Sequence, residues 1–109
     1  MVIDFKEIGE TAIPEFKGGK GRILSAMHVD DMNRIMFGRL EPGCTVGLHT
    51  HDTSSEIIYI VSGQADCIYD DTTETVGPGG CHYCPKGHSH SLINNGTEDL
   101  VFFAVVPQQ

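Results

Sequence analysis

The sequence contains no tryptophan, and its seven lysine and arginine residues are outnumbered by fifteen aspartates and glutamates, which gives a formal net charge of −8. Nucleic-acid binding needs a basic face that displaces counterions from phosphates, and an anionic membrane surface would repel such a chain, so neither partner is expected. No apolar run approaches the roughly 20 residues that cross a bilayer. With 39% hydrophobic and 20% charged residues, the composition is typical of a globular protein rather than a disordered one.

The N-terminal stretch MVIDFKEIGETAIPEFKGG lacks both the basic and the apolar segment of a secretion signal. We therefore expect a cytoplasmic protein. Because that compartment is reducing, we expect Cys44, Cys67, Cys81 and Cys84 to be free thiols rather than two disulfides. A chain of 109 residues is sufficient for one hydrophobic core, so residues 1–109 are expected to form a single domain.

Turn-forming pairs recur at short intervals along the chain, as in Pro42-Gly43, Ser62-Gly63 and Asn95-Gly96. Between them lie short runs rich in β-branched and aromatic side chains, of which EIIYIV, ADCIY, SLIN and LVFFAVV are the clearest. No stretch of a dozen residues has the 3.6-residue period of an amphipathic helix. Many short strands separated by turns predict an all-β sandwich or barrel.

The segment GCTVGLHTHDTSSEIIYIVSG contains His49 and His51, which are two residues apart and therefore project from the same side of a strand. Glu56 shares its strand face with Ile58 and Ile60, so a polar group stands at one end of an otherwise apolar face. Imidazole and carboxylate groups together suit Zn, Fe, Mn, Co, Ni and Cu. The alternative is that these are ordinary hydrogen-bonded histidines, although burying them unpaired would cost several kcal/mol.

A second cluster lies in GGCHYCPKGHSHSLIN, where Cys81, Cys84, His88 and His90 are ligand types of a zinc finger. The three residues between Cys84 and His88 are too few for a finger loop, and a strand sends Cys81 and Cys84 to opposite faces. We therefore interpret Cys84 as inward-facing and Cys81 as outward-facing. His90 shares its face with Leu92, whereas His88 is interpreted as an exposed bystander, with a place at the rim of the site as the alternative.

The two segments together resemble the cupin superfamily, and in particular its small single-domain members with both motifs intact. The first motif of that superfamily is matched by Gly43, His49, His51, Glu56 and Gly63. The second motif is matched by Gly79, Pro85, Gly87, His90 and Asn94. The resemblance covers residues 38–106, and residues 1–37, which carry no motif, are assigned as flanking N-terminal strands.

The resemblance implies a double-stranded β-helix, or jelly-roll barrel, in which His49, His51, Glu56 and His90 bind one divalent metal ion near one end. The ion is Mn, Fe, Ni, Co or Zn. A tetrahedral zinc would be closed by these four ligands, whereas the other metals prefer six positions and leave two open. The resemblance also implies a homodimer. His28 and His82 receive no role, and a hydrogen bond near the barrel interior is expected for Asn94.

A divalent ion with one carboxylate ligand carries a net charge of about +1, which favours an anionic ligand such as a carboxylate, an enolate or a 1,2-dicarbonyl. Arg34 and Arg39 have opposite parity on the strand NRIMFGRL, so one of them is a candidate for holding a ligand carboxylate, the alternative for each being an exposed arginine. Tyr59 and Tyr83 are expected to point away from the site. The candidates for the apolar lining are Met36, Leu40, Ile58, Ile60, Leu92, Phe102 and Ala104.

Three functions fit these observations. The first is a metalloenzyme, a dioxygenase, decarboxylase or isomerase acting on a small carboxylate or enol, in which Glu56 would also move a proton as a catalytic residue. The second is a metal-dependent protein that binds a small carboxylate or sugar without turning it over. The third is a barrel whose metal only stabilises the fold.

Overall fold

The computed structural model describes all 109 residues and is built almost entirely of strands. A helical turn α1 (Phe5–Ile8) precedes the first strand, and a 3-10 turn (Phe16–Gly18) follows it. The strands are β1 (Thr11–Pro14), β2 (Arg22–Val29), β3 (Asn33–Leu40), β4 (Thr45–Thr50), β5 (Glu56–Ser62), β6 (Ala65–Tyr69), β7 (Thr72–Val76), β8 (Cys81–Cys84), β9 (Ser89–Ile93) and β10 (Leu100–Pro107).

The strands form two antiparallel sheets that face each other. The six-stranded sheet has the order β1-β2-β3-β10-β5-β8, and the four-stranded sheet has the order β4-β9-β6-β7. Strands β7 and β8 are consecutive in the chain but lie at the edges of different sheets. This double-sheet architecture confirms the predicted jelly-roll fold, and residues 1–37 form β1 and β2 and begin β3.

The hydrophobic core lies between the two sheets, and the strands reach it through strict alternation. In β10, for example, every second side chain from Leu100 to Val106 is buried. All seven side chains predicted as apolar lining belong to a core cluster of 12 buried residues. Each large side chain of this kind stabilises the fold by roughly 1.5–3 kcal/mol. The core therefore confirms the predicted strand phases of β3, β5, β9 and β10.

Two residues of the motifs have structural roles. Gly63 has a φ of +80°, and a Cβ atom there would lie 2.6 Å from the carbonyl oxygen of Asp99, so only glycine fits this turn. The buried Asn94 donates hydrogen bonds from Nδ2 to the carbonyls of Leu40 and Glu98, at 2.8 and 2.9 Å. The prediction of an interior hydrogen bond for Asn94 is confirmed.

All four cysteines are free thiols. Cys84 is buried and Cys81 is exposed, which confirms the predicted orientation of both side chains. Cys67 is buried in the core cluster. No helix of the protein has the length and the apolar character that crossing a membrane requires.

Candidate metal centre

The four predicted ligands come from three strand ends that converge at one end of the barrel. His49 lies near the end of β4, and it is paired in register with His90 of β9. His51 lies just beyond β4, and Glu56 is the first residue of β5 in the opposite sheet. The register of β4 against β9 is irregular between Val46 and His49, just before the two ligands of this strand.

Their donor atoms form one compact group. The Nε2 atoms of His51 and His90 are 2.9 Å apart. The Oε1 atom of Glu56 lies 2.9 Å from Nε2 of His90, 3.3 Å from Nε2 of His51 and 3.9 Å from Nε2 of His49. All four donors lie within 4.8 Å of one another. Donors about 2.1 Å from a common ion lie roughly 3 to 4 Å apart, so these residues fit a single metal ion.

Each histidine is held from outside through its other ring nitrogen, Nδ1. Nδ1 of His49 donates to the carbonyl oxygen of Gly47 at 2.7 Å. Nδ1 of His51 is hydrogen bonded to Oγ of Ser54 at 2.8 Å. Nδ1 of His90 lies 3.0 Å from Nε2 of His82. Outer hydrogen bonds of this kind orient metal-ligating imidazoles, and all three rings direct Nε2 toward the shared group.

Burial and hydrogen bonding set the charges in this cluster. Burial alone would raise the pKa of Glu56, but in the metal-free protein its contacts with the Nε2 atoms of His51 and His90 outweigh it and hold that pKa at about 2. Burial lowers the pKa of His49, and the Gly47 carbonyl only partly offsets this. An ionised carboxylate and neutral imidazoles are the protonation states that bind a metal ion.

The donor atoms open into a cavity of about 360 Å³. Its wall is mainly apolar toward the middle of the barrel, where Met36, Ile58, Leu92 and Phe102 line it. Arg34 also lines this cavity, and its Nε atom is buried with no hydrogen-bond partner. Nine of the 23 lining residues are hydrophobic and the other fourteen are polar or charged, so the cavity suits a small polar molecule.

The structure distinguishes the two candidate arginines. Arg39 is occupied on the outside of the barrel, where it donates from Nε and Nη2 to Glu10 and from Nη1 to Asp99 at 2.7–2.9 Å. Arg34 lies in the cavity and has an unpaired buried donor. The cation available to a ligand in this cavity is therefore Arg34, together with the lining residue Lys17.

Three other predicted positions lie outside the cavity. The Nδ1 atom of His88 is 2.6 Å from Oδ2 of Asp70, and its ring stacks on Tyr69, so its ring lies outside the donor group and its role as a bystander stays a prediction. Tyr59 and Tyr83 are exposed and point away from the site, as predicted.

Two residues at the site were not predicted from the sequence. His82 is fully buried and contacts His90, although it received no role. The signal was present, because a strand that turns Cys84 inward also turns the side chain two residues earlier inward. Ser54 lies in the loop between β4 and β5, where no periodicity indicates the direction of a side chain.

Comparison with known proteins agrees with this geometry. A family model described as a cupin domain matches residues 36–106. A protein of Thermotoga maritima named oxalate-binding protein is 35% identical to this chain over an alignment of 115 positions, gaps included. The alignment covers 97% of this chain and 93% of the relative. The chain therefore belongs to the cupin family, as the two motifs predicted.

Solved structures show the same fold. The crystal structure of a predicted oxalate decarboxylase from Thermotoga maritima matches with a TM-score of 0.92 and 31% identity, and the match covers 100% of both chains. A protein with a double-stranded β-helix domain from Klebsiella pneumoniae matches with a TM-score of 0.76 and 16% identity, over 97% of this chain and 83% of that one. At that identity the second likeness supports the fold alone.

Proposed function

We propose that the protein binds a small carboxylate, such as oxalate, through a divalent metal ion and Arg34. The observation that carries this proposal is the buried, unpaired Nε of Arg34 in the cavity onto which the four metal-type donors open. A buried donor without a partner costs roughly 1–3 kcal/mol, and a carboxylate that accepts from the guanidinium would remove that cost. The name of the 35% identical relative, oxalate-binding protein, supports the same class of ligand.

His49, His51, Glu56 and His90 would hold one Mn, Fe, Co, Ni or Zn ion per chain. When bound, such an ion supplies a net positive charge of about +1 in a cavity of low dielectric constant and polarises a ligand oxygen as a Lewis acid. The protein itself would contribute the orientation and the desolvation of the ligand. Arg34 would orient the ligand, and the apolar wall would exclude water from it.

The acidic residues of the cavity make the metal essential in this scheme. Asp30, Asp31 and Asp52 line the cavity along with the ligands, and a metal-free cavity would therefore repel an anion. Binding of a carboxylate should consequently depend on the metal rather than on Arg34 alone.

Turnover of the bound carboxylate, as in a dioxygenase, decarboxylase or isomerase, is the second candidate. It is favoured by the direct opening of the cavity onto the donor atoms, since a ligand there would reach the coordination shell of the ion. Glu56 is the candidate proton carrier, but it is also one of the four metal donors, so it could accept a proton only by detaching from the ion. Binding without turnover is therefore the better supported of the two.

The test is calorimetric titration of metal-free and Mn(II)-loaded protein with oxalate, with acetate as a single-carboxylate comparison. Tight binding of oxalate by the loaded protein only would support the proposal, and release of CO2 or uptake of O2 would then identify turnover. A reconstituted protein that takes up no metal ion, or a loaded protein that binds no carboxylate, would overturn it.

We also propose that the protein is a cytoplasmic homodimer. Four free thiols suit a reducing compartment. The outer face of the six-stranded sheet exposes several large apolar side chains, and grouped apolar side chains on a surface often mark an interface. Its exposed members are Phe37, Ile57, Tyr59, Val61 and Tyr83. None of them is charged, so two copies can join there despite their net charge, and light scattering after gel filtration would measure the mass.

A further inference from the structure

His82 links the metal centre to the surface of the barrel. Its ring is fully buried on β8 and lies edge to edge with the ring of His90, with centroids 5.2 Å apart and an angle of 15° between the planes. Nε2 of His82 lies 3.0 Å from Nδ1 of His90, and Nδ1 of His82 lies 2.6 Å from Oε1 of Glu74. Glu74 belongs to β7 and is partly exposed. A continuous chain of hydrogen bonds thus runs from a surface carboxylate to a predicted metal ligand.

Only one placement of hydrogens satisfies this chain with neutral rings. The carboxylate of Glu74 accepts, so Nδ1 of His82 must carry a hydrogen, and Nε2 of His82 is then an acceptor. Nδ1 of His90 must therefore donate to it, which leaves the lone pair of His90 on Nε2. That atom is the one that faces Glu56 and His51.

We propose that His82 and Glu74 are positioning residues for the metal centre, which fix the ring nitrogen through which His90 binds the ion and thereby set the metal affinity. This inference rests on the proposed metal-binding function. The outer partner of His49 is a backbone carbonyl and that of His51 is a hydroxyl, whereas His90 is held by a ring that is itself anchored by a carboxylate. A carboxylate at the end of such a chain makes the ligating nitrogen more basic and holds its ring in place.

The contact also joins two parts of the fold that share no backbone pairing. Glu74 lies on the edge strand of the four-stranded sheet and His82 on the edge strand of the six-stranded sheet. His90 receives its orientation from both sheets as a result. A His82 with only a structural role would affect the stability of the metal-free protein and leave the spectrum and the affinity of a bound metal unchanged.

The test compares His82→Leu, His82→Gln and Glu74→Ala with the wild-type protein, using Co(II) as the probe. Titration is followed by the visible absorption of Co(II), which reports the geometry of its ligands, and by calorimetry. His82→Leu should weaken Co(II) binding by about 10- to 100-fold and shift the absorption bands, since outer hydrogen-bond partners have effects of this size. His82→Gln should restore most of the affinity, because its amide oxygen can accept from Nδ1 of His90.

The pair Asp70 and His88 supplies a matched control. It has the same 2.6 Å contact between a carboxylate and Nδ1, but its imidazole does not touch the donor atoms. Asp70→Ala and His88→Leu should therefore bind Co(II) like the wild type, whereas Glu74→Ala should bind it several-fold more weakly.

The outcomes separate the two proposals. Wild-type protein that binds no Co(II) overturns the proposed function and this inference together. Wild-type protein that binds Co(II), with unchanged affinity and spectrum in the folded His82 and Glu74 variants, overturns this inference alone. If His82→Leu does not fold, the comparison of Glu74→Ala with Asp70→Ala decides, since Glu74 is partly exposed and its truncation leaves the core intact.

Discussion

Arg34 and Arg39 lie five residues apart on strand β3 and point to opposite faces of the six-stranded sheet. Arg39 is held outside the barrel by Glu10 and Asp99. Arg34 lines the cavity and has a buried Nε without a partner. The same side chain on the same strand therefore has a structural role at one position and is available to a ligand at the other.

This relationship gives the first prediction. Arg34→Met should weaken the binding of oxalate to the metal-loaded protein by about 1.5–3 kcal/mol, or roughly 10- to 150-fold, because a hydrogen bond to a charged group is lost. Calorimetric titration measures the change. Arg39→Met is the control: it should leave the affinity unchanged and reduce the free energy of unfolding by about 1 kcal/mol or less, since its ion pairs are largely exposed. Equal affinity of the Arg34→Met and Arg39→Met variants for oxalate would contradict the assignment of Arg34 as a ligand-binding residue.

The second prediction concerns the metal. His49→Ala and Glu56→Ala should each lose the ion that elemental analysis finds in the wild-type protein, because each removes one of four donors. A ligand at 100 times its dissociation constant stabilises a protein by about 2.7 kcal/mol, so added metal should raise the melting temperature of the wild type but not of these variants. His28→Ala, which alters a histidine outside the cluster, should retain the ion. Full metal content in both ligand variants would be incompatible with the site.

Motif spacing and strand parity together predicted the four ligands, because two motifs with many fixed positions limit how the chain can fold. Parity could have decided between Arg34 and Arg39, because Arg34 shares its strand face with Met36 and Leu40, which were predicted to line the interior, but the two arginines were left as alternatives. The structure buries Met36 and Leu40 and places Arg34 in the cavity. The network of His82 and Glu74 could not have been predicted in this way. It spans the edges of two sheets, and no local pattern in the sequence states which edges meet.

The third prediction concerns the thiols. Burial raises the pKa of Cys67 to about 12 and that of Cys84 to about 11, so both remain protonated and inaccessible near pH 8. The exposed Cys81 should react readily with iodoacetamide in the native protein, and mass spectrometry of the peptides would locate the label. All four cysteines should react in denaturant. Rapid labelling of Cys67 in the native state would show that the core opens far more readily than its packing indicates.

The fourth prediction is the acid sensitivity of the metal-free protein. Burial lowers the pKa of His49 and of His82 below the ordinary value of 6.5. As the pH falls below about 6.5, the unfolded chain therefore binds protons that the folded protein does not, and the free energy of unfolding decreases. Glu56 also makes the free energy of unfolding decrease as the pH falls, but over a lower pH range. It stays ionised in the folded state down to about pH 2, whereas an unfolded glutamate is protonated from about pH 4.5 downward.

Thermal melts in EDTA between pH 8 and pH 4 should therefore show a falling melting temperature that begins near pH 6.5. The variant His28→Ala should follow the same curve, because it leaves both buried rings in place. His82→Leu should flatten the upper part of the curve, since it removes one of the two groups that bind protons only after unfolding. A melting temperature that does not change between pH 7 and pH 5 would mean that the two rings take up protons while the protein remains folded. Acid would then weaken metal binding by competing for the donor nitrogens without loosening the barrel that holds them.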